Sequence, residues 1–248
     1  MRIANYKFYR IIFDIVFILG VAFFYSYFAF DQLSEQGIYC DVGLLGNKAM
    51  GIYKNIHFDG ADFINLFGKS FPLMLLDYHG PVEIYLFLPA LYIFGNTAFA
   101  LHIVPVIFGI LSVPLFYALV TLLYNSRLLA VSLSILLFTL PSFIAASRVG
   151  FYTGTLLLFF ALASILFFLL WERNKRVSLL IMSCLFLGLG MGSRCFFWWF
   201  TVALVFYFIF IYRKLSEFLF YIRRNSFYNF IFCFYLLVFK LSKFWLSN

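Results

Sequence analysis

The sequence predicts an all-α membrane protein of seven transmembrane helices and one short interfacial or re-entrant helix. A large first extracytoplasmic loop, 31–80, is expected to contain amphipathic helices. Three observations lead there. Of 248 residues, 65% are hydrophobic and 11% charged, where soluble domains carry about a quarter charged residues. Mean hydropathy is +1.00, so too few polar residues exist to cover a water-facing surface. The apolar residues also gather into runs that approach the roughly 20 residues a spanning helix needs.

The first run, Ile11–Phe30, follows Arg2, Lys7 and Arg10 and is interrupted only by Asp14. It is longer than a signal-peptide core and ends in Phe30-Asp31 without a small-residue cleavage site. It is therefore expected to be retained as the first membrane helix. Asp14 must face protein or water rather than lipid. Further spans are expected over 98–123, 128–145, 151–171, 177–193 and 196–212, with a seventh over 227–245 interrupted by Lys240 and Lys243. The run 81–94 is short for a crossing.

Charge orients the chain. With the N-terminus inside and 81–94 not crossing, the inner loops hold Arg127; Arg173, Lys175 and Arg176; and Arg213, Lys214, Arg223 and Arg224. Were 81–94 to cross, these clusters would lie outside, against the positive-inside bias. The net charge of +8 is thus a topology signal rather than a nucleic-acid footprint. The outer loop 31–80 carries Asp31, Glu35, Asp41, Asp59, Asp62 and Asp77 beside Lys48, Lys54 and Lys69. Within it Val42, Leu44, Leu45, Ala49, Met50, Ile52 and Tyr53 are spaced as an amphipathic helix lying on the membrane. Cys40, Cys184, Cys195 and Cys233 form neither a CxxC nor a zinc spacing with histidine.

Four features carry polar chemistry toward that side. Asp41 follows Tyr39-Cys40; it suits a general base, and equally an N-cap for a helix starting at Val42, the commoner use of such an Asp. Asp77-Tyr78-His79-Gly80-Pro81, with Glu83 after it, enters the short helix. Gly-Pro sets a turn there, and His79 at a helix start suits an anion, although ordinary turn chemistry explains the motif as well. Ser147-Arg148-Val149-Gly150-Phe151-Tyr152 places an arginine outside, suited to phosphate or to snorkelling, the commoner use. Gly188-Leu189-Gly190-Met191-Gly192-Ser193-Arg194 ends another helix. It lacks the preceding strand of a nucleotide loop, and its small residues at that spacing are most simply explained by close helix packing.

In their order these features resemble the N-terminal part of polytopic C-type (GT-C fold) membrane glycosyltransferases. The likeness is greatest to the protein mannosyltransferase and aminoarabinose transferase group, family 39/83-like. The matching stretches are Asp41; Tyr78 to Pro81; Phe94-Gly95-Asn96-Thr97-Ala98-Phe99-Ala100-Leu101-His102; Pro141-Ser142 to Ser147-Arg148; and Gly188 to Arg194. The resemblance covers 8–212. It implies transfer of a sugar from a polyprenyl- or dolichyl-phosphate donor to an extracytoplasmic protein, lipid or glycan, with inversion. It implies Asp41 as the base for the acceptor. His79, Arg148 and Arg194, with Asp77, Glu83 and Tyr152, would hold the lipid phosphate or the acceptor.

It further implies a core over 1–213, a divergent tail over 214–248, and residence in the plasma or inner membrane with the site facing outside. The partners would be the lipid-linked donor, the acceptor and the bilayer, with no nucleic acid. The resemblance fixes no cofactor, and leaves a divalent metal open but unsupported. A divalent metal would want several carboxylate oxygens, and Val42 stands where the group often has a second acid after Asp41, while Tyr152-Thr153-Gly154-Thr155 lacks one after the arginine turn. Because members of the group are longer, a truncated, inactive or accessory subunit of the same fold is the second expectation.

Overall fold

A computed structural model describes residues 2–54, 62–66, 69–74, 79–150 and 154–211. Two compact units divide the chain, Met1–Trp198 and Trp199–Asn248. The expected helix over 227–245 lies outside the described residues.

The first unit begins with α1 (Arg2–Phe30), whose apolar side chains are largely uncovered: Leu19 is 63% and Phe23 74% exposed. A helix this bare in water would not persist alone, so lipid is the natural partner for that surface. Its one acid is not left in hydrocarbon. Asp14 accepts from the Tyr117 hydroxyl at 2.7 Å and pairs with Arg127 at 3.0 Å. That pairing docks α1 onto α4 (Ala98–Tyr124) and α5 (Arg127–Thr139).

The ends of α4 and α5 are written in the sequence. Thr97 caps α4 by accepting from the Ala100 amide, and Ser126 caps α5 by accepting from Leu129. Asn125 closes α4 in the left-handed region, φ 49°. Leu140 and Pro141 then break the path. Pro141 starts α6 (Pro141–Val149), bent 53° from α5, and Gly150 ends it at φ 67°. α7 (Gly154–Asn174) packs between α4 and α8 (Val177–Met191). Hydroxyls join them: Thr155 donates to the Pro105 carbonyl and Ser183 to the Ser164 carbonyl, both at 2.8 Å.

The described residues do not support the expected count of seven spans, the seventh of which lies beyond them. Among the described residues three helices are long and apolar enough to cross, Ile11–Phe30, Ala98–Tyr124 and Gly154–Asn174. The bent pair α5–α6 makes four if it is one span. α8 and α9 (Phe197–Ile211) have 15 residues each, about 22 Å of helix against a hydrocarbon core of about 30 Å. An apolar window counts residues and does not see where a helix stops. Here α8 stops inside its glycine-rich end. Of the second unit the described part is the rest of α9, an apolar helix whose Trp199 is 78% exposed.

The loop after α1 contains the expected amphipathic helix, α2 (Cys40–Tyr53), with Val42, Leu45 and Ala49 fully buried. It also contains what was not expected, an antiparallel hairpin of β1 (Asp62–Leu66) and β2 (Lys69–Met74). The short apolar run forms α3 (Val82–Phe94), tied to the hairpin by the Tyr85 hydroxyl on the Pro72 carbonyl at 3.0 Å.

Candidate active site

Asp41 does not cap α2. The helix begins at Cys40, two residues before Val42, and its N-cap is Tyr39, which makes no side-chain cap bond. The Asp41 carboxylate instead turns toward the segment that ends α8. Its Oδ2 lies 3.4 Å from Nη1 of Arg194 and 3.7 Å from Nε2 of His79. Arg194 Nε in turn donates to Glu83 Oε1 at 3.3 Å, and Glu83 Oε2 is 3.9 Å from His79 Nδ1. Four polar side chains from three stretches of chain thus meet. Arg194, His79 and Glu83 are fully buried, while the Asp41 side chain keeps 17% exposure.

The backbone explains how they meet. His79 and Arg194 form an isolated antiparallel bridge; the Gly80 amide donates to the Ser193 carbonyl at 3.1 Å and Val82 to Gly192 at 3.3 Å. Gly80 and the run Gly190–Gly192 make that approach possible. A Cβ on Gly80 would stand 1.8 Å from the Gly192 carbonyl oxygen, and one on Gly192 would stand 2.9 Å from the Val82 side chain. A Cβ on Gly190 would enter the Phe197 ring at 2.3 Å. The small residues therefore serve close packing, and the packing delivers Arg194 to Glu83.

His79 sits in this cluster as a neutral ring. Burial pushes its pKa down to about 4, and the Arg194 charge adds to the fall while Asp41 opposes it. The Lys48 charge also lowers it. Sequence reading grouped Lys48 only with the loop lysines. It stands seven positions after Asp41, two turns along the same face of α2, and burial lowers its own pKa. That seven-residue spacing was the signal available.

Arg148 is not brought into the cluster. At the end of α6 it donates to the Asp31 carbonyl, and with the Gln36 side-chain amide turned so that its oxygen faces the guanidinium, Nε and Nη2 lie 2.8 and 2.6 Å from that oxygen. Asp77 and Tyr152 lie outside the described residues. Among the described residues no group of three His, Cys, Asp or Glu side chains is placed to hold a metal ion. The guanidinium of Arg194 stands between the two carboxylates, so this donor set does not fit a divalent cation.

The description "Dolichyl-phosphate-mannose-protein mannosyltransferase" belongs to the family that matches residues 78–239, more than half of the chain. The chain is a member of that mannosyltransferase family. The matched stretch contains His79, Glu83, Arg148 and Arg194, whereas Asp41 precedes it. No curated protein and no solved structure matches the chain. Membership makes this an integral membrane protein of a glycosyltransferase family that uses a lipid-phosphate sugar, in agreement with its long apolar helices.

Proposed function

We propose that the chain moves a sugar from a polyprenyl- or dolichyl-phosphate donor to an extracytoplasmic acceptor, a protein, lipid or glycan, with Asp41 as general base. The observation that carries the reading is the placement of Asp41. It is the one member of the buried cluster with exposed side-chain surface, and it touches the cation Arg194 across 153 positions of sequence.

In this reading the acceptor hydroxyl gives its proton to the Asp41 carboxylate as its oxygen bonds to the anomeric carbon. The bond from that carbon to the phosphate oxygen breaks on the opposite face, which inverts the centre. The phosphate leaves with the electron pair. Arg194 stabilises the charge that develops there, and a preorganised cation in a dry site is worth far more than one in water. His79, neutral, donates a ring N–H to the same phosphate, and Lys48 adds positive charge. The contacts of 3.3 to 3.9 Å within the cluster exceed the ~2.8 Å of a tight charge-assisted bond. That looseness suits an arginine that turns from carboxylate to phosphate when donor enters.

The test is transfer from radiolabelled polyprenyl-phosphate sugars in membranes carrying the wild type or Asp41→Asn. Loss of a general base is worth about 10²–10⁴ in rate, with insertion unchanged. Normal transfer by Asp41→Asn would remove the base from this aspartate.

A further inference from the structure

We infer that Arg148 is a positioning residue for Asp41, clamping the connector between α1 and α2, and not a ligand of the lipid phosphate. The inference rests on the proposed role of Asp41 and asks what holds that carboxylate in place.

The connector, 31–39, has little structure of its own. Its local backbone bonds are Leu33 to Phe30 at 3.3 Å and Glu35 to Gln32 at 3.1 Å. Gln32 lies in the left-handed region at φ 49°, a conformation that a non-glycine residue keeps when its surroundings hold it. Yet Leu33 is only 2% exposed, so the segment is anchored rather than loose. Two distant side chains anchor it. His102 of α4 meets the Leu33 carbonyl through Nδ1 at 3.2 Å. Arg148 takes the Asp31 carbonyl, and the orientation of the Gln36 amide that satisfies both partners presents its oxygen to two nitrogens of the same guanidinium. A planar fork on neutral acceptors is geometry that arginine supplies and lysine does not.

The end of α6 also supports the helix that bears Asp41. Gly150, two residues past Arg148, packs so closely on Val42 that a Cβ there would stand 2.9 Å from the Val42 side chain. Val42 is fully buried and adjoins Asp41 in the chain. Arg148 and Gly150 thus grip both the approach to α2 and its first turn. A shift of one side chain can move the carboxylate by the ångström that costs a catalytic site much of its rate.

The two roles separate at Gln36. A phosphate ligand needs the Arg148 charge free; a clamp needs only an acceptor at position 36. The experiment compares wild type, Arg148→Met and Gln36→Glu as full chains in nanodiscs, by amide exchange of residues 31–39 and by donor KM and kcat. The clamp predicts that Arg148→Met speeds exchange at least fivefold and lowers kcat at least tenfold, with donor KM within twofold. It predicts that Gln36→Glu, whose carboxylate still accepts from the fork, stays within twofold of wild type in all three. Unchanged exchange in Arg148→Met overturns the inference, as does a tenfold rise in donor KM in both variants. If the wild type shows no turnover, the sugar-transfer reading fails while the exchange measurement still decides the clamp.

Discussion

Replacing Gly80 by alanine should disassemble the cluster without touching any charged group. The Cβ would arrive 1.8 Å from the Gly192 carbonyl oxygen, and C···O contacts settle at about 3.3 Å. The two backbones must therefore part by roughly 1.5 Å. Both groups are main chain, so no flexible side chain can give way. The bonds from Gly80 to Ser193 and from Val82 to Gly192, now 3.1 and 3.3 Å, would open well beyond hydrogen-bonding range. Each net bond is worth about 1 kcal/mol, and each buried group left unsatisfied costs about 1–3 kcal/mol. A total loss of about 2–5 kcal/mol follows. Arg194 would be carried away from Glu83 and Asp41 along with Ser193. The assay is thermal unfolding in detergent alongside sugar transfer. Gly80→Ala should unfold at clearly lower temperature and lose most transfer, and Gly80→Ser should do the same. Wild-type melting and transfer in Gly80→Ala would refute the claim that this glycine sets the approach of the two segments.

Two further outcomes are expected. His79 is neutral above pH of about 4 in the free protein. A phosphodiester anion beside it would raise that pKa, so the donor-bound state holds more protons. Donor affinity should then strengthen as pH falls toward 4, by at most about tenfold per unit; a flat profile between pH 7 and 4.5 would place the phosphate elsewhere. Asp14→Leu removes the partner of Tyr117 and Arg127, whose ion pair is partly exposed at 23% and 31%. It should cost about 1 kcal/mol, as partly solvated pairs do, read as a melting shift of about 2–4 °C. An unchanged melt would mean that α1 docks through its apolar contacts alone.

What the sequence revealed and what it hid follow from the range of the forces involved. Apolar runs and local caps such as Thr97 and Ser126 are short-range signals, so the long helices and several of their ends were legible. Span number was not, because Pro141 and the Gly188–Gly192 stretch end or bend helices inside apolar windows. The hairpin 62–74 was missed although Phe67-Gly68 offers the two-residue spacing of a tight turn; five or six residues of strand carry little periodicity beside a long apolar background. His79, Glu83, Asp41 and Arg194 were singled out as separate polar motifs, and their meeting depends on backbone contacts across more than a hundred positions. The glycines near Arg194 were rightly attributed to packing. The resemblance grouped Arg148 with the cations near the lipid phosphate; its approach to Asp31 and Gln36 is a tertiary contact that the local motif does not encode.

The central claim is that the buried Arg194, held by Asp41 and Glu83, receives the lipid phosphate. Saturation binding of sugar-free polyprenyl phosphate to wild type and Arg194→Gln in nanodiscs tests it most directly. At least a tenfold loss of affinity, with the glutamine variant still folded, is the predicted result; equal affinity in the two proteins would contradict it.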